Sequence, residues 1–336
     1  MDKLLNQLIS DEKKINQELY TSGSYWKYKN NKTIYQIKKN TLKNFRGINS
    51  GVGTSFADNL VYDVRNEHNL KGRLVSFFYK IPIIGKIYIN QLKTTSKHIS
   101  NFLKYQSITF QKDERVKYLI EKYTFDNTTE FGCVQKFTFK KKEYSCTYLE
   151  MANRVDEISK HINFKSMKKY VEIGGGFGAN IHFLISNYEN IKKIIYIDAV
   201  PNLYVGTEYL RTFYKNSIID YTKTREMKEI KFSNNEELEV FCIPPWQIEN
   251  LNIEIDHFHN AASFVEMPQN VIENYVKYIR LNKVKTISLV SYDTYDPKTT
   301  LNPKMLNKFF NNELETYEFP RIINEFGRKN IYLIKK

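Results

Sequence analysis

Apolar positions at helical spacing open the chain. Leu4, Leu8, Ile15 and Leu19 fall on one face and predict a helical first segment. Between Tyr20 and Tyr148 the period is lost. That stretch is aromatic and basic, and it is interrupted by NFRGINSGVGTSFADN, residues 44–59, which reads as a loop or turn cluster. The apolar run LVSFFYKIPIIGKIYI, Leu74 to Ile89, is broken by Lys80, Pro82, Gly85 and Lys86, so it is no spanning helix. A buried helix or hairpin edge is preferred for it over a membrane-surface element.

From Met151 the pattern sharpens. Met151, Val155, Ile158 and Ile162 form a helical stripe that leads into the strand-like run KKYVEI, and a glycine cluster follows. Ile181, Leu184, Ile185 and Tyr188 then repeat as a helix covering a sheet requires. Further strands are read at IKKIIYID, LEVFCI, EIDHFHNAA and KTISLVSYD, with helices around Leu203 to Tyr214 and Ile272 to Ile279. ETYEF and NIYLIKK supply two short last strands. This alternation predicts an α/β fold, a seven-stranded and mostly parallel sheet with helices on both faces. Residues 151–336 are expected to form that domain, and residues 1–150 a mainly helical region that binds an acceptor or acts as a lid.

The chemistry concentrates in VEIGGGFGAN, Val171 to Asn180, where a strand must turn sharply into a helix with its backbone close to a ligand. Gly174, Gly176 and Gly178 do not make GxGxxG, which lowers a dinucleotide reading and with it a nicotinamide-dependent oxidoreductase. Glu172, ahead of the first glycine, attracts a cationic cofactor and repels a pyrophosphate. S-adenosylmethionine carries both a sulfonium and an ammonium. Asp198 closes the second strand 24 residues after Gly174, where a carboxylate accepts hydrogen bonds from ribose hydroxyls.

These residues resemble the first motif of the class I S-adenosylmethionine-dependent methyltransferases, over Lys168 to about Tyr292. More narrowly, EIGGGFG together with ASFVEM, Ala262 to Met267, is similar to the sugar O-methyltransferase family, which acts in surface-glycan or natural-product biosynthesis. The resemblance implies a Rossmann-like domain. It implies that Glu172, Gly174, Gly175, Gly176 and Gly178 surround the methionine end of the cofactor and that Asp198 takes the ribose. Trp246 and Gln247 then face the adenine, with Trp246 reading equally well as core packing. At the end of the fourth strand stand His259, Asn260, Ser263 and Glu266, with Asn260 assigned to the cofactor.

Transfer to an alcohol needs a base, and either Glu266 or His259 can serve, Glu266 being preferred. Glu266 also reads as a favourable charge at the start of the helix after Pro268. Asp293, ending the fifth strand, is a candidate for acceptor or metal. Some sugar methyltransferases hold a divalent ion, and Glu266, Asp293 and Asp296 are oxygen ligands suited to Mg²⁺.

Composition trims the alternatives. Apolar residues are 41% and charged residues 26% of the 336, an ordinary globular balance, and no secretory signal is read at the start. The cytoplasm is the expected location. Cys133, Cys146 and Cys242 lack metal-ligand spacing, which argues against zinc and against a disulfide framework. A net charge of +14 suits phosphorylated sugars, anionic membrane surfaces at low strength, or nucleic acid, but the lysines are dispersed as on an ordinary solvated face. Arg46 is either a grip for a nucleotide-sugar phosphate or a plain surface arginine, the latter preferred. IPPW, Ile243 to Trp246, lacks the amide or carboxylate that amino-methylating enzymes use, so a nucleic-acid methyltransferase is the second reading. A non-catalytic protein that kept the fold is the third.

Overall fold

The computed structural model describes residues 2–15, 17–20, 23–40, 42, 45–46, 63–66, 69–132, 136–296, 298, 300–322 and 329–336. The chain forms two compact units, one of residues 1–27 and 150–336, the other of residues 28–149. The first 27 residues therefore group with the C-terminal half, although the sequence pattern leaves them with the N-terminal region.

The reason lies in the first helices, α1 (Lys3–Glu12) and α2 (Gln17–Tyr20); α3 (Gly23–Lys39) then carries the chain into the second unit. Asp2 caps α1 by accepting from the Leu4 N–H at 2.8 Å. Leu4, Leu5 and Leu8 are buried. Asp11 accepts from Arg225 Nε at 2.6 Å and from the Tyr221 hydroxyl at 3.1 Å, and the guanidinium holds its carboxyl well below the usual range.

Residues 28–149 hold α4 (Leu70–Phe78), α5 (Pro82–Phe110), α6 (Glu114–Lys122) and an antiparallel hairpin of β1 (Lys136–Phe139) and β2 (Lys142–Ser145). The hairpin turn puts Lys140 and Lys141 at φ +46° and +68°, a left-handed pair usually filled by Asn-Gly, which is why the sequence hid it. Two expectations are corrected here. Arg46 is buried, and its Nη2 donates to the carbonyls of Thr128 (3.0 Å) and Phe131 (2.9 Å), so it ties two loop segments and is neither a surface arginine nor a phosphate grip. The run Leu74–Ile89 is neither a buried helix nor a hairpin edge, because most of its large apolar side chains are exposed. The glycine-bearing stretch 44–59 lies, but for Phe45 and Arg46, outside the described residues, as does Cys133.

The other unit continues with α7 (Cys146–Ser159), β3 (Lys169–Ile173), α8 (Ala179–Asn187), β4 (Lys193–Ile197) and α9 (Val200–Tyr214). Then come β5 (Ile218–Ile219), α10 (Tyr221–Thr224), β6 (Glu239–Ile243), β7 (His257–Ala261), α11 (Gln269–Leu281) and β8 (Thr286–Tyr292). The chain ends with α12 (Leu306–Phe309), β9 (Glu315–Pro320) and β10 (Lys329–Lys335). The sheet order is β5-β6-β4-β3-β7-β8-β10-β9, with β10 antiparallel to both neighbours and all other pairs parallel. Seven of these strands are those read from the sequence. The eighth, β5, is a two-residue edge, too short to show a period.

Alternation along the strands gives the sheet two unlike faces. One carries Val171, Ile173, Ile195, Phe258, Leu289 and Leu333 against Val271, Ile272, Tyr275 and Ile279 of α11 in one apolar cluster. Each such aliphatic side chain contributes roughly 1.5–3 kcal/mol on burial. The other face is polar. Register aligns Glu172 with Tyr196 on one side and with His259 on the other, and His259 with Ser288. Glu172 is thereby placed inside the protein, one residue short of the end of β3.

Candidate functional site

Strand order reverses at β3. The chain runs outward through β4 on one side, then crosses to β7 on the other, which leaves a crevice at the carboxyl ends of β3 and β7 where ligands bind in open α/β sheets. The turn leaving β3 has Gly174, Gly176 and Gly178 at φ +78°, +63° and +83°. A Cβ on Gly174 would stand 2.1 Å from Ser263 Oγ, so only glycine lets the two loops meet. A Cβ on Gly176 would meet nothing within 4 Å, so its backbone fronts open space.

The two loops are stitched by Asn260. Its Nδ2 donates to the Ile173 carbonyl (2.8 Å) and to Ser263 Oγ (2.5 Å), while its Oδ1 accepts from the Phe264 N–H (3.1 Å). Its amide is thus committed within the protein, and it shapes the crevice floor.

Two carboxyl groups lie beneath the turn. Asp198 Oδ2 accepts from the Gly176 N–H (2.8 Å), and its Oδ1 from the Ala199 N–H (2.7 Å) and from Asn202 Nδ2 (3.2 Å). Burial pushes its pKa up to about 7 against those three hydrogen bonds. Glu172 Oε2 accepts from Asn180 Nδ2 (3.1 Å) and from the Tyr170 hydroxyl (3.4 Å), and its Oε1 lies against Gly175. Burial first, and then the charge of Asp198, raise it to about 7 as well, with Arg154 opposing from a distance. Among the described residues neither carboxyl has a cation within ion-pair distance.

The remaining expected residues divide. His259 is buried mid-sheet with Nδ1 at 2.7 Å from Ser288 Oγ, and burial, aided by Arg154, pushes it down to about 3. Glu266 ends a 3-10 turn, Phe264–Glu266, directly beyond Ser263, and its Oε2 accepts from Trp26 Nε1 at 2.8 Å. Trp246 packs edge-on to Tyr221, and Gln247 is engaged on both sides with Thr224, at 2.8 Å and 2.7 Å, holding α10 in place. Asp293 is exposed, accepting from the Lys329 N–H at 3.0 Å, and so ties β8 to β10. Among the described residues no three or more His, Cys, Asp or Glu side chains gather as a metal site, so Glu266, Asp293 and Asp296 do not assemble one.

Several participants escaped sequence reasoning. Tyr196 donates to the Gly176 carbonyl (2.5 Å) and braces the turn, Asn180 orients Glu172, and Asn202 orients Asp198. Asn202 stands four residues beyond Asp198, a legible helical spacing; Trp26, 240 residues from Glu266, left no local signal. Ala262, between β7 and Ser263, holds φ +65°, which costs a residue with a Cβ about 1–2 kcal/mol. Ala262→Gly is therefore expected to raise stability by about 0.5–1 kcal/mol after the larger unfolded-state freedom of glycine is counted. A urea midpoint at or below that of the parent would contradict this.

No protein-family model and no curated protein matches the chain. Among solved structures it is similar to the magnesium protoporphyrin IX methyltransferase of Synechocystis PCC 6803 with bound S-adenosylmethionine, at 7% identity over 56% of this chain and 80% of that one, TM-score 0.38. It is similar also to mitomycin 7-O-methyltransferase, at 11% identity over 57% of this chain and 54% of that one, TM-score 0.38. A third is human N-acetylserotonin methyltransferase in complex with S-adenosylmethionine, at 10% identity over 56% of this chain and 53% of that one, TM-score 0.36. The chain thus matches about half the length of the last two. At these TM-scores the likenesses assign neither activity nor acceptor, which must come from the crevice itself.

Proposed function

We propose that this chain is an S-adenosylmethionine-dependent O-methyltransferase acting on a sugar hydroxyl. The observation that carries the cofactor is the pair of buried carboxyls, Glu172 and Asp198, without a cationic partner among the described residues and beneath a glycine turn open to space. A ligand bearing a positive charge and a ribose fits that donor and acceptor set, whereas a pyrophosphate would be repelled. Oδ1 of Asp198 already accepts twice and Oδ2 once, so a ribose hydroxyl finds its free acceptor on Oδ2. Glu172 faces the cationic end, and the open space at Gly176 leaves room for it. When bound, S-adenosylmethionine supplies an electrophilic methyl group.

Glu266 is the base that takes the acceptor hydroxyl proton. His259, buried and held neutral with a depressed pKa, serves instead as a spacer beside Ser288. The sugar acceptor rests on the likeness of EIGGGFG and ASFVEM and on the Trp26 indole joined to Glu266, since an aromatic face beside a carboxylate suits a pyranose ring and its hydroxyls. Trp246 and Gln247 are proposed to support the adenine side through α10 and to leave the ring itself unbonded.

Calorimetric titration tests the reading: S-adenosylmethionine and S-adenosylhomocysteine are expected to bind in the micromolar range and NAD not at all. Binding of NAD without S-adenosylmethionine would reverse the assignment. Labelled-methyl transfer to nucleoside-diphosphate hexoses, set beside transfer to RNA, then decides the acceptor class.

A further inference from the structure

The longest helix among the described residues packs at its end, where Phe110 meets Phe137 of β1, but is thinly covered at its start. α5 runs for 29 residues, yet between Pro82 and Phe110 the buried positions among the described residues are Gly85 and Phe110. A helix in water draws most of its stability from an apolar face packed on the protein. In the first turns of α5 large apolar side chains meet solvent instead: Ile83 is 74% and Ile87 64% exposed, and on the preceding α4 Leu70 is 71% and Phe77 65% exposed.

Local packing explains the inversion. A Cβ on Gly85 would stand 2.4 Å from the Tyr79 carbonyl oxygen, so the end of α4 closes tightly on the first turn of α5. The Tyr88 hydroxyl donates to Asp63 Oδ1 (3.1 Å) and accepts from the Val64 N–H (2.9 Å). Arg65 pairs with Asp63 at 2.6 Å and lies 4.2 Å over the Tyr79 ring. These contacts turn the tyrosines inward and leave the isoleucines and phenylalanines outside, a contiguous apolar stretch of the kind that monomeric soluble proteins seldom expose without a partner.

Charge selects the occupant. From Asn69 to Lys112 the chain carries seven lysines, one arginine and no Asp or Glu. Lys71, Arg73, Lys80 and Lys86 are exposed among the apolar side chains. A second copy of this face would set like charges against like, and a nucleic acid would take the charge but leave the isoleucines in water. An anionic bilayer surface satisfies both, since the acyl boundary accepts the apolar tips and the headgroups meet lysines on long stems. No helix among the described residues is long and apolar enough to cross a membrane, so the contact is lateral.

From this geometry we infer that α4 and the first turns of α5 form a peripheral attachment site for an anionic lipid surface. The inference does not depend on the methyl-transfer reading. Its test is flotation of the full chain with phosphatidylcholine vesicles and with vesicles containing about one-third phosphatidylglycerol. The expected result is at least about tenfold stronger binding to the anionic vesicles, weakening as salt rises. The paired change Ile83→Asp and Ile87→Asp, at exposed positions that leave the melting temperature unchanged, is expected to lower that binding at least about tenfold. Equal partition into both vesicle types, or binding indifferent to the substitutions, overturns the inference. So does sedimentation showing a dimer that the same substitutions dissociate. S-adenosylmethionine affinity measured on the same samples separates a failure here from a failure of the cofactor site.

Discussion

Asp198→Asn is expected to weaken S-adenosylmethionine binding about a hundredfold at pH 8, because it removes a charged acceptor worth about 1.5–3 kcal/mol together with its attraction for the cation. Asn keeps one oxygen for the Ala199 N–H and Asn202 Nδ2 and sets its NH₂ against the Gly176 N–H, so an unchanged melting temperature of the ligand-free variant is the control that the loss reads on the ligand. The parent is also expected to bind about thirtyfold more weakly at pH 5.5 than at pH 8. With the Asp198 carboxyl pKa raised to about 7, the free site is protonated at pH 5.5, and about 1.5 units must be overcome to present a carboxylate to the ribose hydroxyls.

The same shift makes a stability statement. The folded, ligand-free chain keeps protons that the unfolded chain has released between about pH 4 and pH 7. This contribution is fully present below the unfolded carboxyl range and is lost as pH rises through about 7. Between pH 5 and pH 8 the ligand-free parent should therefore lose stability relative to Asp198→Asn, read by urea denaturation at each pH. Affinity of Asp198→Asn within about threefold of the parent, with an unchanged pH profile, would mean that the ribose is held elsewhere.

Glu266→Gln is expected to lower the rate of methyl transfer at least about a hundredfold while leaving cofactor affinity and melting temperature where they are. Gln retains a carbonyl oxygen to accept from Trp26 Nε1, so the 2.8 Å contact is preserved and only the proton acceptor is lost. His259→Asn, at a buried group already held neutral, is expected to cost stability more than rate. Should Glu266→Gln turn over as fast as the parent with labelled cofactor and a nucleoside-diphosphate hexose, the carboxylate is an anchor for Trp26 and the base lies elsewhere.

Seven strands were legible because each is a short apolar or alternating run bounded by a change of period, and the glycine turn because four glycines within five residues, followed by an acid closing the next strand, demand a close backbone approach. β5 and the Lys140–Lys141 hairpin were not, since two residues show no period and two lysines carry no turn signature. The candidate bases illustrate the remaining gap. Both His259 and Glu266 follow from position at the end of one strand, but only burial and the Ser288 contact separate a neutral spacer from a carboxylate one turn further on.

The sequence by itself determined the seven longer strands of the C-terminal half, where the chain must bend on glycine, and that an acid stands at or next to each of two strand ends, because these follow from local spacing and the conformational limits of each residue type. Tertiary structure alone decided that residues 1–27 join the C-terminal unit, that Trp26 meets Glu266, that Arg46 is buried, and that the Leu74–Ile89 run faces solvent. Each of those depends on which surfaces remain uncovered once the whole chain has packed, and no local pattern of residues encodes what lies opposite it.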